Sequence, residues 1–297
     1  GHRLKLIGFS LGLFVSGSRN GGRESARYAS PEQRRGVAAE LAGLPLRFRF
    51  VVICGLTGSG KSRLLAELKT LRATERLPVM VWIYGGGFAA GATSEPRQDG
   101  ENLAKRGIVV VTLNYRVGSL GFLAHPELTQ ESSTRTSGNY GLLDQLAALA
   151  WVQRNIMRFG GDPQNVTLGG NSAGALCVNL LVGSPLAKNH FRRVIAESGA
   201  DVGSFSVSYP LPLKTNEQAG VDFMKAVGAD SLAALRRLPI ADLMKLRGAN
   251  RLSIDGYAIP LDPYEIFSSG KQNDVPILNG WNRDDVAGSP PAGARTS

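Results

Sequence analysis

The pentapeptide Gly170-Asn171-Ser172-Ala173-Gly174 constrains this chain more than any other stretch. It lies between a β-rich run, Asn165 to Gly169 (NVTLG), and an apolar helical run, Ala175 to Leu181 (ALCVNLL). A serine between two glycines at a strand-to-helix junction calls for a very tight turn. Side chains at the flanking positions would collide across it, and the turn pushes the serine oxygen out above a sheet. The five-residue pattern alone arises often by chance, so the strand-then-helix context carries the reading. An ordinary glycine-rich βα turn is the competing interpretation.

The surrounding pattern agrees with a sheet at that point. Pro78 to Tyr84 (PVMVWIY), Ile108 to Tyr115 (IVVVTLNY), Phe191 to Glu197 (FRRVIAE) and Val275 to Gly280 (VPILNG) read as further strands. Continuous apolar runs of this length are typical of parallel strands covered on both faces. Helical spacing appears at 102–106, 139–159, 219–228 and 231–247. In the longest of these, Leu142, Leu146, Leu149 and Val152 form one stripe. Strand and helix alternate, which predicts an α/β class chain with a mostly parallel sheet and helices on both faces.

Gly85-Gly86-Gly87 follows the strand PVMVWIY. Three consecutive glycines let the backbone turn its N–H groups toward a substrate carbonyl. Donors prearranged around a developing oxyanion are worth roughly 3–4 kcal/mol each. A glycine run ahead of G-x-S-x-G, in this chain order, is an arrangement built for acyl transfer. Taken alone, the run could equally be a flexible turn.

Four long blocks then carry a resemblance: LPVMVWIYGGGFAAG (77–91), VVVTLNYRVGSLGFLAHPEL (109–128), GNYGLLDQLAALAWVQRNIMRFGGDPQNVTLGGNSAGA (138–175) and FRRVIAESGA (191–200). Residues 77 to about 288 resemble the type B carboxylesterase family, relatives of the cholinesterases. The resemblance implies an α/β-hydrolase fold and hydrolysis of carboxylic esters, expected to be short-chain, through a serine acyl-enzyme. It implies Ser172 as nucleophile and the backbone N–H groups of Gly86, Gly87 and Ala173 as the oxyanion hole. It matches Ser198 to a serine just behind the site. The family's catalytic acid sits in a motif similar to GxNxDEG, matched here by Gly280-Trp281-Asn282-Arg283-Asp284-Asp285-Val286. Asp285 takes the glutamate position and Asp284 is the fallback. An exposed acidic loop is the alternative reading for both.

A serine hydroxyl needs a base. The fold's chain order is serine, acid, then histidine. The three histidines here are His2, His125 and His190, and none follows Asp285. His125 matches a structural histidine of the family, and His190 reads as a surface residue. The family's opening β-region also finds no match in residues 1–76. The expectation is an esterase segment, truncated at both ends, joined to a segment of different origin.

That segment contains Gly55-Leu56-Thr57-Gly58-Ser59-Gly60-Lys61-Ser62, a complete G-x-x-x-x-G-K-S between the strand-like Phe48 to Cys54 and the helix-like Arg63 to Leu71. In such a loop, backbone N–H groups cradle phosphates, Lys61 reaches the β/γ oxygens and Ser62 holds Mg²⁺. Residues 32–68 resemble the P-loop segment of bacterial tRNA 2-selenouridine synthases. One strand and one helix cannot bury a core of their own, so Gly55, Gly60, Lys61 and Ser62 stand only as an alternative nucleotide site.

Charge divides the chain at the same place. Residues 1–76 hold 14 Lys and Arg against 5 Asp and Glu, while residues 77–297 hold 20 against 19. The division is therefore 1–76, basic and poorly structured at its start, and 77–297, the esterase-like part. No apolar run approaches the ~18 residues that span a bilayer. The apolar start at Leu4 to Val15 supports export only weakly, so a cytoplasmic location is expected. Cys54 and Cys177 read as buried thiols. The partner expected is a small ester, with no cofactor, no metal and no nucleic acid; the oligomeric state stays open. The other readings are a P-loop nucleotide-binding protein and a non-catalytic esterase-like binding module.

Overall fold

The computed structural model describes residues 13–14, 50–54, 76–199, 209–243 and 251–282. The apolar runs form strands: β1 (Leu13–Phe14), β2 (Phe50–Cys54), β3 (Leu77–Ile83), β4 (Val109–Asn114), β5 (Gly161–Asn171), β6 (Arg193–Glu197), the short pair β7 (Leu211–Pro212) and β8 (Ser253–Ile254), and β9 (Ile277–Gly280). Seven of them make one sheet in the order β1-β2-β4-β3-β5-β6-β9. Only the β1–β2 pair is antiparallel; β2, β4, β3, β5, β6 and β9 all run the same way. Val79, Val81 and Ile83 of β3 and Val109 to Val111 of β4 are buried, as a sheet covered on both faces requires.

The order places the chemistry. The chain passes from β3 outward to β4, then returns to the other side of β3 to lay down β5. Connections leaving β3 and β5 therefore depart in opposite directions, which opens a crevice beyond the carboxyl ends of those two strands. Gly85 follows β3 and Ser172 follows β5, so both turns open into that crevice.

Nine α-helices flank the sheet among the described residues: α1 (Glu101–Ala104), α2 (Ser119–Phe122), α3 (Pro126–Glu131), α4 (Tyr140–Asn155), α5 (Ala173–Gly183), α6 (Leu213–Ala226), α7 (Leu232–Arg237), α8 (Ile240–Leu243) and α9 (Pro263–Ser268). The stripe Leu142, Leu146, Leu149 and Val152 of α4 is buried as the spacing predicts. Helix α5 is buried on every side, packed against β3, β5 and β6 and against α9. A helix that is apolar on every face apart from Asn179 belongs inside a core.

Several expectations move. The helix expected over 139–159 ends at Asn155 and tightens into a 3-10 turn, Ile156–Phe159, that Gly160 closes in a left-handed conformation. The strand expected from Asn165 starts at Gly161, with a bulge where it meets β3. The helix expected over 231–247 is interrupted, because Pro239 cannot extend the first piece, so α7 and α8 are separate. Helix α6 begins at Leu213, six residues before the apolar spacing that announced it. Strand β2 lies beside β4, so the strand-like stretch near residue 50 continues the main sheet. The expected helix over 63–71 and the glycine-rich loop 55–62 lie outside the described residues.

A buried amide ties the segment around β8 to the core. Asn139 donates from Nδ2 to the Ser253 carbonyl (2.8 Å) and to Asp255 (2.8 Å), and its Oδ1 accepts from the Ser253 amide (3.0 Å). Asn216 of α6 donates to the Leu252 carbonyl and to Ser253 Oγ. Asn139→Ala leaves buried partners unsatisfied and is expected to lower unfolding free energy by about 2–3 kcal/mol. Urea denaturation of the variant against the parent chain measures it.

Candidate active site

Ser172 has φ 56° and ψ −124°, a backbone conformation that a serine adopts only when its surroundings impose it. Four contacts impose it. The Ser172 amide donates to the Glu197 carbonyl at the end of β6 (2.8 Å), and Asn171 Nδ2 donates to the same oxygen (3.2 Å). The Leu176 amide donates back to the Ser172 carbonyl (3.0 Å). The fourth contact is steric. A Cβ on Gly174 would lie 2.1 Å from the Ile83 carbonyl oxygen and 2.8 Å from that of Tyr84. Only a glycine lets the start of α5 press against the end of β3. The expected elbow is therefore present, with Ser172 exposed at its tip and α5 buried behind it.

The glycine run meets the elbow directly. A Cβ on Gly85 would stand 2.9 Å from the Ser172 Cβ. Gly86 and Gly87 follow with φ of 122° and 60°, and both are exposed above the sheet. The Gly86 carbonyl accepts the Ala89 and Ala90 amides, so it is turned into its own loop. Ala173 is the first residue of α5, where a backbone N–H has no acceptor within the helix and the helix dipole favours negative charge. The residues expected to supply oxyanion donors thus occur together on one edge, next to the serine.

The strand that precedes the expected acid in sequence is described. Ser198 has φ 55°, and its amide donates to the Gly280 carbonyl (2.8 Å). Glu197 pairs in register with Gly280. Strand β9 thus ends on the same carboxyl edge, two strands from β5 and so about 10 Å from it at the usual strand spacing. Asp284 and Asp285 follow Gly280 and lie outside the described residues, as do Gly55, Gly60, Lys61, Ser62 and His2.

Neither described histidine is placed as base. His125 is buried, caps the N-terminus of α3, and accepts the Glu127 amide on Nδ1 (3.2 Å). With Nδ1 accepting, the neutral ring carries its proton on Nε2 and has no lone pair to offer there. His190 stands before β6, at the amino edge of the sheet, and its Nδ1 meets the Lys188 carbonyl (3.0 Å). Ser172 lies at the opposite edge. The anchoring role of the Glu197 carbonyl is absent from the motif-based reading, because it follows from strand register, which no local pattern encodes.

With this geometry in view, comparison with known proteins is decisive. A model of the carboxylesterase family matches residues 67–294. The chain belongs to the carboxylesterase family. It is 43% identical over 224 residues to a fumonisin B1 esterase of Sphingopyxis macrogoltabida, covering 70% of this chain and 39% of that protein. It is 40% identical to the para-nitrobenzyl esterase of Bacillus subtilis over 71% of this chain and 44% of that one. Similarity extends to human neuroligin-2, at 37% identity. Among solved structures, a Geobacillus stearothermophilus carboxylesterase superposes with a TM-score of 0.63 at 35% identity, covering 71% of this chain and 46% of that one. The fold is that of the α/β-hydrolases, and the chain spans less than half the length of the esterases it matches.

Behind the serine the core is inert. Burial pushes the Cys177 thiol up to about 12, while the Gln145 amide, donating to its sulfur at 3.3 Å, pulls the other way. Burial also raises Tyr115 far above the ordinary tyrosine value. Below pH 9.0, the thiol's ordinary value, Cys177 is neutral folded and unfolded, and its stability contribution is intact. Above it only the unfolded state ionises, so stability is lost as pH rises toward 12, at roughly 1 kcal/mol per pH unit. The denaturation midpoint is expected to fall between pH 8 and pH 11, and to fall less steeply in Cys177→Ala. At the elbow, Gly174→Ala is expected to slow phosphonylation of Ser172 by a fluorophosphonate about 100-fold, since displacement of roughly 1 Å at such a site has that effect. Intact-protein mass spectrometry over time reads it.

Proposed function

We propose that this chain carries the nucleophile and oxyanion hole of a serine esterase acting on short-chain carboxylic esters. The observation that carries the proposal is the strained Ser172 lying against Gly85 at the head of the glycine run. The hydroxyl of Ser172 adds to the ester carbonyl, and the Gly86, Gly87 and Ala173 amides receive the resulting oxyanion. Collapse expels the alcohol and leaves an acyl-serine, which water then hydrolyses through the same oxyanion position. Each half needs a base to take a proton and return it. His125 is committed to capping α3 and His190 lies at the far edge, so that base comes from outside the described residues. Asp285, five residues after Gly280 in the sequence, is the proposed acid.

The test is hydrolysis of p-nitrophenyl acetate by the 297-residue chain. Turnover is expected to be low and to rise with added imidazole as a diffusible base, and this increment is expected to vanish in Ser172→Ala. An imidazole increment equal in both proteins would exclude Ser172 as nucleophile.

A further inference from the structure

The glycine run has little conformational preference of its own, because glycine adopts positive and negative φ almost equally. Something outside it has to set the direction of its N–H groups. The end of β4 and the segment after it do so at several points. Asn114 Oδ1 accepts the Thr93 amide (2.9 Å), and the Gly118 amide donates to the Phe88 carbonyl (2.6 Å). Phe88, itself at φ 61°, is packed edge-on against Phe122. Between these contacts, Tyr115 and Tyr84 stack with ring centroids 4.6 Å apart. Tyr115 OH donates to the Tyr84 carbonyl (2.9 Å), while Tyr84 OH donates in return to the Tyr115 carbonyl (3.3 Å).

The two hydroxyls are not equivalent. The Tyr84 carbonyl belongs to the peptide whose N–H is that of Gly85, and the peptide is planar. Fixing that oxygen fixes the plane from which the run departs. The same oxygen presses on Gly174, within the elbow. One hydrogen bond therefore sets the glycine run and the serine turn against each other. The Tyr84 hydroxyl donates instead to the Tyr115 carbonyl, just past β4, and that peptide is not part of the run.

We propose that Tyr115 is a positioning residue for the oxyanion hole: its buried hydroxyl, donating to the Tyr84 carbonyl, holds the Tyr84–Gly85 peptide in the orientation that aims the Gly86 and Gly87 amides at the oxygen bound over Ser172. This rests on the esterase reading of Ser172. Tyr115 touches no reacting atom, so its loss affects the bond-forming step rather than the encounter.

The experiment uses the full 297-residue chain with a fluorophosphonate, whose P–O oxygen occupies the oxyanion position while Ser172 displaces fluoride. Maximal labelling rate and half-saturating concentration are measured separately. Amide hydrogen exchange is followed in peptides covering 84–91. Tyr115→Phe is expected to lower the maximal rate about 10–100-fold with half-saturation nearly unchanged, and to speed exchange at 85–91 more than elsewhere. Tyr84→Phe keeps the ring stack and is expected to leave the rate within about threefold, since the bond it deletes lies outside the run. Placing 4-aminophenylalanine at position 115 restores an N–H donor, and is expected to recover both rate and exchange even if Tyr115→Phe folds poorly. Equal losses in Tyr84→Phe and Tyr115→Phe, unchanged exchange at 85–91, or no recovery with the amino analogue would each overturn the role of Tyr115. If the parent chain is not labelled at Ser172, the esterase reading fails instead, and exchange at 85–91 still decides on Tyr115.

Discussion

Two backbone turns touch in this protein with no side chain between them. Gly174 at the start of α5 rests on the carbonyl oxygens of Ile83 and Tyr84 at the end of β3, and Gly85 rests on Ser172. Much of the surrounding architecture serves that contact. The parallel register of β3 with β5 brings Ile83 opposite Gly170, so the two strands end level. The outward passage to β4 and the return to β5 clear the space above them. A methyl group at position 174 would separate the turns and break the edge on which Ser172 and the glycine run meet.

The packing behind that contact is rigid. Helix α5 has no solvent-facing side, and its Cys177 lies close to Tyr115 and Gln145 in surroundings dry enough to keep thiol and phenol protonated. A helix held on all sides cannot shift its first residue without disturbing β3, β5 and β6 together. Precision at Ala173 and Ser172 is thus a property of the core. The sheet's far edge differs: Ile277, Leu278 and Trp281 along and just past β9 are exposed.

How much of this was legible in the sequence depends on how local each signal is. Ser172 and the Gly86–Gly87 run are local features, and the blocks that contain them are long enough to name the family. The stripe on α4 is equally local, and its four apolar residues are buried. The break at Pro239 is a local signal that apolar spacing on both sides outweighed in the reading. Pairings set by tertiary register left no local trace. The Glu197 carbonyl under Ser172, the Asn139 bonds to residues 253 and 255, and the grip of Tyr115 on Tyr84 join positions 25 or more residues apart in sequence. The proposed acid Asp285 and the glycine-rich motif around Lys61 rest on sequence alone, outside the described residues.

The left-handed backbone at Ser172 has a consequence for how this position evolves. A serine there is held against its own preference, at an expense of order 1–3 kcal/mol that the rest of the domain absorbs. Glycine would occupy the same angles without strain, so drift toward greater stability runs toward an inert protein. A lineage released from selection for chemistry would find loss of the serine favoured by folding itself.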